Sequence, residues 1–149
     1  MLIKLVNLST NCGQMPGGDM PHFQIDYSPN LEARLDIAAL CAVVARAAAD
    51  TGVFPVAGIR VRATACTHVV MADGNPAHAF LDLSVRLRAG RTDSAKHAAT
   101  QAIFAAIEAF CAPVMQSSSF MLSMEMRDID PALSPKASSI RQYLPKDLQ

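Results

Sequence analysis

The sequence lacks any excess of charge. Thirteen Lys and Arg balance thirteen Asp and Glu over 149 residues. Nothing global therefore draws the chain to nucleic acid or to an anionic membrane surface, and any affinity for anions has to come from arginines placed locally. It also lacks a run of about 18 apolar residues, which a membrane-spanning helix needs. The apolar start, residues 1–8, is too short for a signal peptide and has no small-residue cleavage site, so the cytoplasm is the expected compartment. Cysteines are few and far apart: Cys12, Cys41, Cys66 and Cys111 form no C-x-x-C pair, which removes the zinc knuckle and the redox motif. Three buried thiols and one in a loose tail are expected. The histidines His22, His68, His78 and His97 have no ligand spacing, so no metal is expected. There is no G-x-S-x-G and no glycine loop for a nucleotide.

What is present is a core. Hydrophobic residues make up 51% of the chain and charged residues 17%, enough apolar surface for one ordinary domain. Residues 1–20 stand apart, with Asn-Cys-Gly, Pro-Gly-Gly-Asp and no sustained period, and read as a loose extension. They are expected to be untranslated or removed, because Gly17-Gly18-Asp19-Met20 can be encoded as GGAGGTGACATG, a ribosome-binding sequence just before a start codon.

From Pro21 the periodicity sharpens. Phe23, Ile25 and Tyr27 alternate with His22, Gln24 and Asp26, the period-2 pattern of a strand. A helix follows over about 36–50, capped by Asp36 and stopped at Thr51-Gly52. Residues 57–65 alternate again, with Ile59, Val61 and Ala63 opposite Arg60, Arg62 and Thr64. After a turn at 71–76 the order repeats. A strand spans 79–88, a helix capped by Thr92 runs to about Cys111, and a last strand carries Phe120, Leu122, Met124 and Met126 on one side. The pattern is β-α-β twice. It predicts an α/β (α+β) domain over residues 21–130, a four-stranded sheet with two helices on one face, parallel pairing inside each unit and an irregular tail over 131–149 with one short helix. The other sheet face carries Gln24, Asp26, Arg60, Arg62, Asp82, Ser84, Arg86, Arg88, Glu125 and Arg127. It is either a wet face or the inner face of a symmetric ring in which opposite charges pair between subunits.

A proline before a strand is ordinarily structural. Met20-Pro21 gains weight from its company. Pro21-His22-Phe23 through Tyr27-Ser28, Asn30-Leu31-Glu32, Thr51-Gly52-Val53-Phe54-Pro55, Gly58-Ile59-Arg60-Val61-Arg62-Ala63, Met71-Ala72-Asp73-Gly74 and Gly90-Arg91 together resemble the 5-carboxymethyl-2-hydroxymuconate isomerases of the tautomerase superfamily, which includes 4-oxalocrotonate tautomerase and macrophage migration inhibitory factor. The resemblance runs from Met20 almost to the C-terminus and is weaker across 64–70 and in the tail.

The resemblance implies the duplicated β-α-β tautomerase fold, a homotrimer, no cofactor, a small carboxylate-bearing substrate and an amino-terminal proline base. By position, Pro21 is the base, and Arg60 and Arg91 match the arginines that hold substrate carboxylates. Arg62, on the same strand face as Arg60, is a further candidate, and Phe80 and Met71 are candidates for the pocket lining. The chemistry fits a proline at a chain start. Inside a chain its nitrogen is an amide without a basic lone pair; at an amino terminus it is a secondary amine. An ordinary α-amino group titrates near pH ~8. An apolar pocket and neighbouring guanidinium groups disfavour the protonated form and bring it towards neutrality, where a general base works best. The activity implied is isomerisation of a dienol to an unsaturated ketone in aromatic meta-cleavage catabolism. The competing readings are a tautomerase for another unsaturated 2-hydroxy or 2-oxo acid, and a non-catalytic ferredoxin-like binding or assembly module, because β-α-β-β-α-β order also fits that fold.

Overall fold

The computed structural model describes residues 20–149. Its elements are β1 (His22–Tyr27), α1 (Ile37–Asp50), β2 (Arg60–Ala65), β3 (Ala79–Arg88), α2 (Asp93–Ser117) and β4 (Phe120–Ile129). The expected loose extension and Cys12 lie outside the described residues, Met20 excepted.

The strands form one sheet in the order β2-β1-β3-β4. β1 pairs with β2 in parallel, β3 pairs with β4 in parallel, and the two halves join antiparallel through β1 and β3. This is the duplicated unit expected from the alternation. Phe23, Ile25, Leu81, Leu83, Val85 and Leu87 are fully buried on the covered face of the two central strands. Leu40 and Val44 of α1, with Ile103 and Ile107 of α2, close over them. Each such side chain contributes on the order of 1.5–3 kcal/mol by leaving water. The edge strands are less covered: Val61 and Ala63 of β2, and Leu122, Met124 and Met126 of β4, are only partly buried.

Local chemistry sets the helix starts. Asp36 Oδ1 accepts the Ala39 N–H at 2.9 Å and Thr92 Oγ1 accepts the Ala95 N–H at 3.2 Å, each satisfying a donor that the first turn leaves open. Gly52, at φ +68°, takes the left-handed conformation that ends α1. By length and composition α2 could cross a membrane, but its Ala99, Ile103, Ile107, Cys111 and Val114 are buried in the core.

Several expectations need correction. β2 begins at Arg60 rather than 57, because Val56–Gly58 forms a 3₁₀ turn. α2 runs on to Ser117 rather than ending near Cys111, passing through Pro113. Proline inside a helix costs about 3 kcal/mol; burial of Val114 offsets part of this, and the last turn is closed by Ser117 Oγ and Ser118 Oγ donating to the carbonyls of Pro113 and Val114 at 2.7 and 2.8 Å. Of the three described cysteines only Cys111 is buried. Cys41 and Cys66 are half-buried, since α1 turns Cys41 to the edge of its covered face and Cys66 follows an edge strand. The tail holds three short 3₁₀ turns, at Pro131–Leu133, Ile140–Tyr143 and Lys146–Leu148, rather than one helix.

Candidate active site

The strand directions gather one set of residues at one end of the sheet. Pro21 precedes β1, Arg60 opens β2, Arg88 closes β3 and Ile129 closes β4. Pro21 is fully buried. Beside it, Met20, His22, Arg60, Arg88, Ile129 and the tail residues Ser134–Ala137 line a cavity of about 290 Å³. Its charged lining side chains, Arg60, Arg88 and Lys136, are all cationic. Such a cavity suits an anion.

Register explains why the arginines stand so close together. His22 faces Arg60 across β1–β2 and Arg86 across β1–β3. Arg60 Nη2 donates to His22 Nε2 at 2.7 Å. A guanidinium offers only donors, so this nitrogen has to accept and the imidazole has to be neutral. Burial first, then the charges of Arg60, Arg86 and Arg62, hold the His22 pKa below the usual imidazole value of 6.5. The Nε atoms of both Arg60 and Arg88 are buried without a hydrogen-bond partner. A buried donor left in that state costs on the order of 1–3 kcal/mol. A carboxylate oxygen that reaches either of them from the cavity would satisfy that one.

The other sequence candidates fall in three places. Arg91 lies at the same end, just past β3, where its Nε and Nη1 donate to the carbonyls of Val53 and Arg88, both at 3.1 Å. These contacts fix its guanidinium beside the cavity rather than in its lining. Arg62 is exposed on the outer sheet face; its Nε donates to Gln24 Oε1, and its Nη1 stands 3.5 Å from His22 Nδ1. Phe80 and Met71 lie at the opposite end of the sheet. Phe80 is bonded through its backbone to Ser28, its N–H donating to Ser28 Oγ at 2.9 Å. Met71 lines a separate cavity of about 300 Å³ with Ser28, Asn30 and Cys66 among others. The structure thus brings together Pro21 and Arg60, sets Arg91 nearby, and separates Phe80 and Met71 from them within one subunit. His22, Arg88 and Lys136 were not singled out from sequence as site residues. The alternation did put His22 and Arg88 on the polar face, but gave no sign of which end of the sheet would be enclosed.

The family model described as 5-carboxymethyl-2-hydroxymuconate isomerase matches residues 21–144, from Pro21 through most of the tail. The chain belongs to this family. A 5-carboxymethyl-2-hydroxymuconate Delta-isomerase of Escherichia coli is 33% identical over 121 residues, covering 81% of this chain and 96% of that protein. A crystal structure of a 5-carboxymethyl-2-hydroxymuconate isomerase from Deinococcus radiodurans R1 superposes with a TM-score of 0.77 at 30% identity, covering 86% of this chain and 97% of the other. A further 5-carboxymethyl-2-hydroxymuconate delta-isomerase structure reaches a TM-score of 0.80 at 28% identity, covering 87% and 95%. The sheet, the helices and the duplicated topology are those of the tautomerase fold, and the chain is an isomerase of the cofactor-independent tautomerase type.

Proposed function

We propose that the protein converts 5-carboxymethyl-2-hydroxymuconate, a dienol with three carboxylates, to its unsaturated keto isomer in the meta-cleavage catabolism of homoprotocatechuate, in the cytoplasm and without a cofactor. The observation that carries this reading is the family match that begins at Pro21, the residue flanking the all-cationic cavity. Pro21, with its nitrogen released as an amine, takes the proton from the 2-hydroxyl and returns it to a distal carbon. Arg60, in the cavity, and Arg91, beside it, bind carboxylates and stabilise the negative charge that builds on the dienolate. Arg62 adds positive field from the outer face.

The reading includes a homotrimer. Phe80 and Met71 favour it: Phe80 lies seven residues along β3 from Leu87, roughly 20 Å at the rise of a strand, too far to line the Pro21 cavity of its own subunit. They reach such a cavity only from a neighbouring chain. The partly buried apolar side chains of the edge strand β4, and Met121 at 60% exposure, are surface that such a neighbour would cover.

The test compares two forms of the protein, one starting at Met1 and one at Met20, by intact mass and by ketonisation of the dienol. The second is expected to begin at Pro21, through loss of its initiator methionine, and to turn over. The first, with residues 1–20 intact, should be nearly inactive, because its Pro21 nitrogen is an amide. Pro21→Ala should lower kcat by 10²-fold or more, in keeping with loss of a general base. Equal activity from the two forms, with the extension verified intact, would sink the amino-terminal base.

A further inference from the structure

Arg88 is not among the residues that the resemblance places in the site, yet it has the environment of a ligand-binding cation. It closes β3 at the Pro21 end and lines the same cavity as Arg60. Its Nη2 donates to the Pro131 carbonyl at 3.0 Å, which fixes the guanidinium and ties the start of the tail to the sheet. Its Nε is buried and without a partner, as is that of Arg60. Two half-buried arginines, each with its Nε buried and unsatisfied, line one cavity of about 290 Å³, and their guanidinium groups repel each other when it holds only water. One carboxylate can satisfy one of them. A ligand with two carboxylates satisfies both and removes the repulsion.

We propose that Arg88 is a second carboxylate-binding residue of this cavity and makes the site selective for substrates carrying more than one carboxylate. The proposal rests on the carboxylate-binding role given to Arg60 above. It adds that the two arginines divide the work, with Arg60, held by His22, taking one carboxylate and Arg88, held by Pro131, taking another. The planar fork of arginine suits both positions, since Nη2 is anchored to the protein while the Nε–H stays available to the ligand. The tail has a function in this arrangement. Ser134–Ala137 wall the cavity, and Arg88 ties Pro131, three residues before that wall, to the sheet.

The test measures binding by calorimetry on the full chain, with two ligands that cannot tautomerise: tricarballylate, with three carboxylates, and hexanoate, with one. Arg88→Met is expected to weaken tricarballylate at least tenfold and hexanoate less than twofold, with Arg88→Lys in between because it keeps the charge but loses the fork. An equal loss for both ligands would make Arg88 a mere clasp for the tail and overturn the proposal. So would wild-type affinity for tricarballylate in Arg88→Met, or failure of tricarballylate to bind the wild-type chain. The same titrations on Pro21→Ala separate the two readings, because binding does not require the proline amine. A tricarballylate affinity lost in Arg88→Met but kept in Arg60→Met would remove Arg60 from the binding role and overturn the division of work between the two arginines.

Discussion

His22 stands between cations on both neighbouring strands, and its neutral ring accepts from Arg60. Protonation would replace that hydrogen bond with repulsion from Arg60, Arg62 and Arg86, with Arg88 and Lys136 adding to the same field from the cavity wall. The linkage has a definite sign. The folded-state pKa lies below the unfolded value near 6.5, so the unfolded chain takes up the proton first. The stabilisation is therefore complete above that value and is lost as pH falls below it towards the folded pKa. Urea midpoints should decline from pH 7.5 to pH 5, and His22→Gln, which keeps an acceptor but cannot titrate, should decline less over the same window. Parallel curves for the two proteins would rule out this role. Activity should follow, since Arg60 loses its anchor when His22 is charged. The pairing was half legible in the sequence: alternation put His22, Arg60 and Arg62 on one face, but only the register sets His22 directly opposite Arg60.

At the scale of elements, starts were easier to read than ends. Asp36 and Thr92 cap their helices through their own side chains, a chemistry local to four residues. Asp36→Ala and Thr92→Ala should each lower unfolding free energy by about 1 kcal/mol in urea titrations, with no change of fold. Ends depend on what packs. α2 continues beyond Pro113 because Val114 reaches the core, and nothing in the local residues announces that burial. The tail shows the same effect on a larger scale. Its prolines mark it as irregular, yet Ser134–Ala137 form a wall of the cavity and the family match extends through them to residue 144.

For the whole molecule, two open edges and a polar outer face are what a ring would use. Among the described residues no strand lies on the outer side of β2 or β4, and their core-facing side chains are half-covered. Light scattering should give three times the mass of the subunit, and Pro21→Ala should leave that mass unchanged, because the role proposed for the proline is in chemistry and not in assembly. A monomer would overturn the homotrimer. In the proposed trimer, Phe80 and Met71 would have to reach a Pro21 that is not their own.

The sequence by itself determined the alternation of the four strands, the two helices with their caps, the duplicated order and, through the residues that follow Pro21, the family. These are local or periodic properties, and periodicity states which face a side chain takes. It does not state which end of a strand is enclosed or what stands across from it. Only the tertiary structure decided that Arg60, Arg88 and the tail share one cavity beside Pro21, and that Phe80 and Met71 lie at the other end. The reason is register: the antiparallel junction of β1 and β3 brings the start of one strand to the end of the other, His22 opposite Arg86, across a stretch of chain that carries no local record of the meeting.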